Sequence, residues 1–235
     1  MFAFLSYNGN FLENQYLEDL SKLNKKIIII KENSNLKFNY SKRWKLQTNS
    51  FFEEKKYNIS FNKIKFFKVS SHNSNETLKI IKNNKIKLLV NLGTTKKLNK
   101  KLINVLKHGI LNIHPGLIPY YRGSQCVEWA IINNDPIYLT CHYINENYDD
   151  GRIILFYKIR TKGLKFYNQI RTRVYLKQSL TIYKVLKNFN KFKDNNLIFS
   201  QKNKILGKPN LYKMINQKTL TQVINTVKGR RYKHL

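Results

Sequence analysis

Residues Asn112 to Gly123 read N-I-H-P-G-L-I-P-Y-Y-R-G, and Gly109-Ile110-Leu111 lead into them. Along a strand side chains alternate, so Asn112 and His114 share one face and Ile113 takes the other. Pro115 keeps His114 extended and removes an amide donor, which closes the strand. Gly116 and Pro119 mark a loop, and Ser124 is placed to cap a helix through Val127, Trp129, Ala130 and Ile131. Further on come Thr140-Cys141-His142 and Tyr148-Asp149-Asp150-Gly151. An amide, an imidazole and a carboxylate are thus offered at strand ends, where a parallel α/β sheet binds its ligands.

Outward from this stretch the pattern alternates between strand and helix. Phe2 to Ser6 reads as an apolar strand, Tyr7-Asn8-Gly9-Asn10 as a turn, and Leu12, Tyr16, Leu17 and Leu20 as one helical face. Ile27 to Ile30, Lys63 to Val69 and Ile86 to Asn91 read as further strands. Helices are expected from Ser74 or Asn75 through Lys82, and from Leu98 to Leu106. Phe38 to Lys56 is ambiguous, with aromatics but weak periodicity. Beyond the central stretch, Ile153 to Ile159 reads as a strand and Leu164 to Leu186 as a helix, with Arg171 and Arg173 on different faces. Leu197 to Ser200 suggests a short strand, Gly207-Lys208-Pro209 a turn, and Leu220 to Val227 a last helix. The expected fold class is α/β, a doubly wound and mostly parallel sheet. Residues 1–190 form the expected catalytic domain and 191–235 a short basic appendage. Asn8-Gly9-Asn10 is not a GxGxxG fingerprint, so no dinucleotide site is expected.

Composition bounds the function classes. A chain of 235 residues, 42% hydrophobic, can bury a full core. Two cysteines do not make a disulfide framework and point to a reducing, cytoplasmic setting. No apolar run approaches the roughly 18 residues of a membrane span, and no signal peptide is visible. The formal charge is +31, from 44 Lys+Arg against 13 Asp+Glu. A polyanion-binding tail is one reading of that excess. A lysine- and asparagine-rich composition is the favoured one, because asparagine and isoleucine are abundant too and no nucleic-acid motif appears. His72, His108 and His234 lack clustered partners in the sequence, and no metal-ligand spacing is present.

The segments Leu88 to Leu98 and Asn112 to Leu155 resemble the formyltransferases that use 10-formyltetrahydrofolate. The likeness runs through Asn112-Ile113-His114-Pro115-Gly116-Leu117-Ile118-Pro119, Tyr121-Arg122-Gly123, Trp129-Ala130-Ile131, and Thr140-Cys141-His142 to Asp149-x-Gly151. Members of that family act on glycinamide ribonucleotide, methionyl-tRNA or nucleotide-linked amino sugars. The resemblance implies that Asn112, His114 and Asp149 are the catalytic residues. Asp149 holds the family position, not Asp150, and Gly116 stands where many members have serine.

It also implies that the pterin lies between the loop from Asn91 to Leu98 and the segment from Ile144 to Asp149. Leu92, Gly93, Thr95, Leu98, Ile144 and Asp149 are the expected cofactor contacts, with Leu92 and Leu98 read either as apolar walls or as core. Arg122 is a candidate for binding a phosphate of the acceptor, or a loop anchor. Glu128 reads as an acid near a helix N-terminus or as a contact for the acceptor amine. His142 reads as a core histidine or as a support of the pocket. The expected acceptor is a small primary amine, a nucleotide-linked amino sugar in first place. A tRNA-formylating member would be expected to carry a larger C-terminal barrel, for which the residues after Asn190 are too few. Nucleic acid is not an expected partner, nor is a membrane; a homodimer is left open.

Overall fold

In a computed structural model, which describes residues 1–33, 45–199 and 208–235, one seven-stranded sheet runs through the molecule. In chain order its first half is β1 Phe2–Tyr7, α1 Glu13–Ser21, β2 Ile27–Glu32, the short α2 Phe51–Glu54, β3 Ile64–Val69, α3 Asn75–Asn83, β4 Leu88–Asn91, α4 Lys100–Asn104 and β5 Ile110–His114. The second half is β6 Tyr121–Gly123, α5 Cys126–Ile132, β7 Tyr138–Tyr143, β8 Ile153–Lys158, α6 Tyr167–Lys187, the short α7 Phe189–Phe192, β9 Asn210–Tyr212 and α8 Gln217–Lys228. The sheet order is β3-β2-β1-β4-β5-β7-β8. The first five strands are parallel, and β7 runs antiparallel to both of its neighbours, β5 and β8.

Both faces of the sheet are covered, which is why its central strands are apolar throughout instead of alternating. Ala3, Leu5, Ile28, Ile30, Leu89 and Ile110 pack against α3 and α4. Phe4, Ile29, Leu88, Val90, Leu111 and Ile113 share the other core with α1, α5, α6 and α8. Local signals set the helix starts. Ser74 accepts from the Thr77 amide and Asn99 from the Leu102 amide, so each caps its helix. The chain winds outward from β1 through β2 to β3, then returns to β4 on the other side of β1. That reversal opens a crevice at the carboxyl ends of the strands.

Several expectations change. Ser124 does not cap the helix. Its amide donates to the Tyr212 carbonyl, because the chain still runs beside β9, and α5 starts only after Gln125, which has φ of 55°. The two-stranded ribbon of β6 and β9 was not expected; both strands are three residues long and carry little periodicity. Residues 197–199 form no strand, although the Leu197 amide donates to the Ile153 carbonyl. Ser200, Gly207 and part of the ambiguous Phe38–Lys56 stretch lie outside the described residues. Within it, Phe52 of α2 is buried against Phe11 and Tyr175. In the C-terminal segment, Ile215, Leu220, Val223, Val227 and Tyr232 are buried in the same core as α5.

Candidate active site

Strand register builds the first part of the site. Asn91 of β4 stands opposite Asn112 of β5, and Asn112 opposite His142 of β7. The three side chains therefore form one row across the carboxyl edge of the sheet. Asn91 Nδ2 donates to Asn112 Oδ1 at 3.3 Å, and Asn112 Nδ2 contacts His142 Nε2 at 3.2 Å. His142 Nδ1 lies 3.0 Å from the Tyr143 carbonyl, which can only accept. That nitrogen therefore carries the proton, and in the neutral ring Nε2 is free to accept from Asn112.

The loop after β7 adds the carboxylate. Asp149 has φ of 45°, a left-handed conformation that Asp and Asn tolerate better than most residues. Its Oδ2 accepts from the Gly123 amide at 2.9 Å and lies 3.4 Å from His114 Nδ1. Its Oδ1 lies 3.4 Å from His142 Nε2 and 3.5 Å from Asn112 Nδ2. Burial works to raise the Asp149 pKa, but His114, His142 and the Gly123 amide outweigh it and hold the carboxyl well below the usual range. Burial pushes the His114 pKa down, and Asp149 only partly opposes this. The arrangement is an ionised carboxylate between two imidazoles, able to take up or return a proton through either.

The structure brings Asn112, His114 and Asp149 together, but it does not place them alike. Asn112, His142 and Asp149 wall a cleft of about 270 Å³ that is completed by Asn91, residues 94–98 and residues 144–148 without Glu146. His114 sits behind this wall, with Nε2 donating to the Tyr121 carbonyl at 2.8 Å. Gly116 explains the space: a Cβ there would come within 2.5 Å of His114 Nε2 and 2.4 Å of the Tyr121 carbonyl oxygen. A serine at 116 would not fit this arrangement, so Gly116 is tied to where His114 lies.

Among the expected cofactor contacts, Thr95, Leu98, Ile144 and Asp149 line the cleft. Leu92 is buried in the sheet's core, and Gly93 is held against the Tyr7 ring, so neither forms its wall. Arg122 pairs with Asp150 at 2.9 Å and is a loop anchor; it does not wall the cleft. Glu128 is a correction. It is fully buried, accepts from the Tyr167 hydroxyl and lies 3.3 Å from Arg171 Nε, so it is unavailable to an acceptor amine. Asn91, and the function of His142 as the imidazole facing the cleft, were missed. The signal was present in the register: both stand opposite Asn112 once the strands pair.

Two variants test the geometry of the carboxylate loop. Asp150 is half-exposed and, among the described residues, serves Arg122 and Asn147. Exposed pairs contribute about 0–1 kcal/mol, so Asp150→Asn should change turnover by less than about threefold. A large loss there with Asp149→Asn active would show that the roles are reversed. At Gly151 a Cβ would fall 1.7 Å from the Tyr143 carbonyl oxygen. Gly151→Ala must displace the loop that carries Asp149, at a cost of roughly 1–3 kcal/mol in the melting curve. Unchanged melting and turnover would show that the loop accommodates the methyl group freely.

Fold and site together define a doubly wound α/β protein with an amide–imidazole–carboxylate cluster at its switch point. The formyl transferase family matches residues 1–186, and the chain belongs to that family. A methionyl-tRNA formyltransferase of Fusobacterium nucleatum is 32% identical over 95 residues, 40% of this chain and 31% of that protein. The chain thus spans about a third of the length of this curated relative. Among solved structures, a phosphoribosylglycinamide formyltransferase from Anaplasma phagocytophilum is similar with a TM-score of 0.60 at 19% identity, over 81% of this chain and 86% of that one. A sugar N-formyltransferase from Shewanella has a TM-score of 0.56 at 19% identity, over 95% of this chain and 86% of that one.

Proposed function

We propose that this protein transfers the formyl group of 10-formyltetrahydrofolate to a primary amine, most favourably the amine of a nucleotide-linked sugar. The observation that carries the reading is the row Asn91–Asn112–His142, with Asp149, opening into a cleft between the loops after β4 and β7. At about 270 Å³ the cleft lies near the lower end of small-molecule sites. It suits the bicyclic head of the folate, with the tail outside. Leu98 and Ile144 supply apolar wall, and Lys96 and Lys97 at the rim suit an anionic glutamyl tail.

The residues then have defined tasks. Charge grows on the formyl oxygen as the amine attacks, and the side-chain amide of Asn112, which walls the cleft, is the donor suited to it once it turns from its resting partners. His142 and Asp149 receive the proton that the amine must lose and return one to the departing folate nitrogen. His114, from behind, packs Nδ1 against Asp149, and in its protonated form it donates there and keeps the charge on the carboxylate. Cys126 and Cys141 are buried, and burial raises both thiols, so neither is suited to act as a nucleophile. Residues 1–190 would supply this chemistry, with 191–235 as an appendage to it.

The likeness to the sugar N-formyltransferase extends over 95% of this chain, against 81% for the glycinamide ribonucleotide enzyme, and this favours the sugar acceptor. Glycinamide ribonucleotide is the runner-up acceptor, and the sequence identity to a methionyl-tRNA formyltransferase supports methionyl-tRNA as the other alternative. An assay with 10-formyltetrahydrofolate and a panel of amines, following release of tetrahydrofolate, separates them. Amino sugars on a nucleoside diphosphate should react fastest. If glycinamide ribonucleotide or methionyl-tRNA is formylated orders of magnitude faster, the sugar reading fails, while the formyl-transfer reading stands.

A further inference from the structure

One wall of the cleft, residues 94–98, hangs between two sets of contacts. At its base the Gly93 amide donates to Asn91 Oδ1 and Asn10 Nδ2 donates to the Leu92 carbonyl. On the side away from the cleft it meets the turn between β3 and α3. There Asn73 Nδ2 donates to the Lys97 carbonyl at 2.9 Å, and the Asn99 amide donates to Asn73 Oδ1. Between these lies a buried charged group. Glu32, the last residue of β2, accepts from the Thr95 hydroxyl at 2.6 Å through Oε1. Its Oε2 accepts from the His72 main-chain amide at 3.1 Å and lies 3.0 Å from His72 Nδ1. The other ring nitrogen of His72 lies 3.1 Å from the Ile30 carbonyl, which can only accept. Glu32 and His72 are 4% and 1% exposed, so no solvent relieves either.

We propose that Glu32 and His72 are positioning residues that hold the wall of the cleft in place, with the Thr95 hydroxyl as the point of attachment. A buried carboxylate persists only when its lone pairs meet donors. The His72 main-chain amide is the donor on one side of Glu32, with the ring packed beside it, and Thr95 supplies the donor on the loop side. The loop therefore answers a need of the interior, and its height above the sheet is fixed by a bond to a strand end. A hydrogen bond to an ionised acceptor is among the stronger ones, so one hydroxyl is enough to bias a short loop. Neither Glu32 nor His72 lines the cleft, and the side-chain bond from this pair to the loop is the one at Thr95. The nature of the ligand rests on the folate reading above; the attachment does not.

The test uses Thr95→Val, which keeps shape and removes the hydroxyl, and Thr95→Ser, which keeps the hydroxyl. In ligand-free protein, amide exchange across residues 93–98 should quicken about tenfold in Thr95→Val, the scale of losing one bond to a charged acceptor. The affinity for tetrahydrofolate, by calorimetry, should fall about tenfold in step. Thr95→Ser should restore both. His72→Gln should raise KM for the formyl donor with kcat within about twofold, and the double variant His72→Gln/Thr95→Val should be no worse than Thr95→Val. Unchanged loop exchange or affinity in Thr95→Val overturns the proposal, as does a double variant whose losses add. If His72→Gln does not fold, the Thr95 pair decides alone. If the wild type binds no tetrahydrofolate, the folate reading fails, and loop exchange still decides the attachment.

Discussion

Replacing Asp149 by Asn is expected to lower turnover by roughly 10²-fold or more, the usual scale for losing a proton-transfer group. Asparagine tolerates the left-handed φ of 45° at this position, so the loop should keep its path. The Gly123 amide can still be accepted by the new side-chain oxygen. What disappears is the negative charge between His114 and His142, which lie 3.4 Å away on either side. Asn112→Ala should cost a similar factor by removing the donor that faces the cleft, and His114→Ala by removing the group that holds Asp149 from behind. Turnover is read with saturating formyl donor and the best acceptor of the panel, on protein whose melting curve matches the wild type. Near-wild-type turnover in His114→Ala would remove His114 from the machinery and leave His142 as the imidazole that matters.

Glu128→Gln is expected to destabilise the protein without altering its affinity for the acceptor. Arg171 is buried, and burial by itself disfavours its charge; Glu128 is the main group that keeps it protonated. The amide can still accept from Tyr167, but it leaves a guanidinium in the interior with no counter-charge. Breaking one partner of a buried ion pair costs about 3–5 kcal/mol. For a chain of this size that corresponds to a fall in melting temperature of roughly 10 °C. The double variant Glu128→Gln/Arg171→Met removes the stranded charge and should recover much of the loss, because coupled neighbours do not add. A Glu128→Gln protein with unchanged melting and a raised KM for the amine would instead return Glu128 to the acceptor site.

These two residues show how far local sequence reaches. Asp149 was legible through the resemblance to the formyltransferases, in which Asn112, His114 and an Asp-x-Gly at 149–151 recur together. Gly151 is required there since a side chain would collide with the Tyr143 carbonyl. Glu128 was not legible. An acid in the first turn of a helix is favourable in solvent, and nothing nearby in sequence announces that Arg171 and Tyr167, on α6, close over it. The same distance hid the partners of His72. Glu32 lies on another strand, and only the parallel pairing of β2 with β3 brings the β3–α3 turn beside it.

The amino-acid sequence by itself determined the doubly wound sheet, the closure of β5 at Pro115, and the presence of an amide, an imidazole and a carboxylate at strand ends. Periodicity and turn chemistry act over a few residues, so they are written locally. The tertiary structure alone decided which of those groups faces the cleft. Register put Asn91, Asn112 and His142 in one row, and the space at Gly116 let His114 pack back onto the Tyr121 carbonyl. It also turned Glu128 inward and set Glu32 and His72 beneath the cleft wall. Those outcomes depend on pairing between strands and helices far apart in the chain, where burial and charge compensation settle what spacing leaves open.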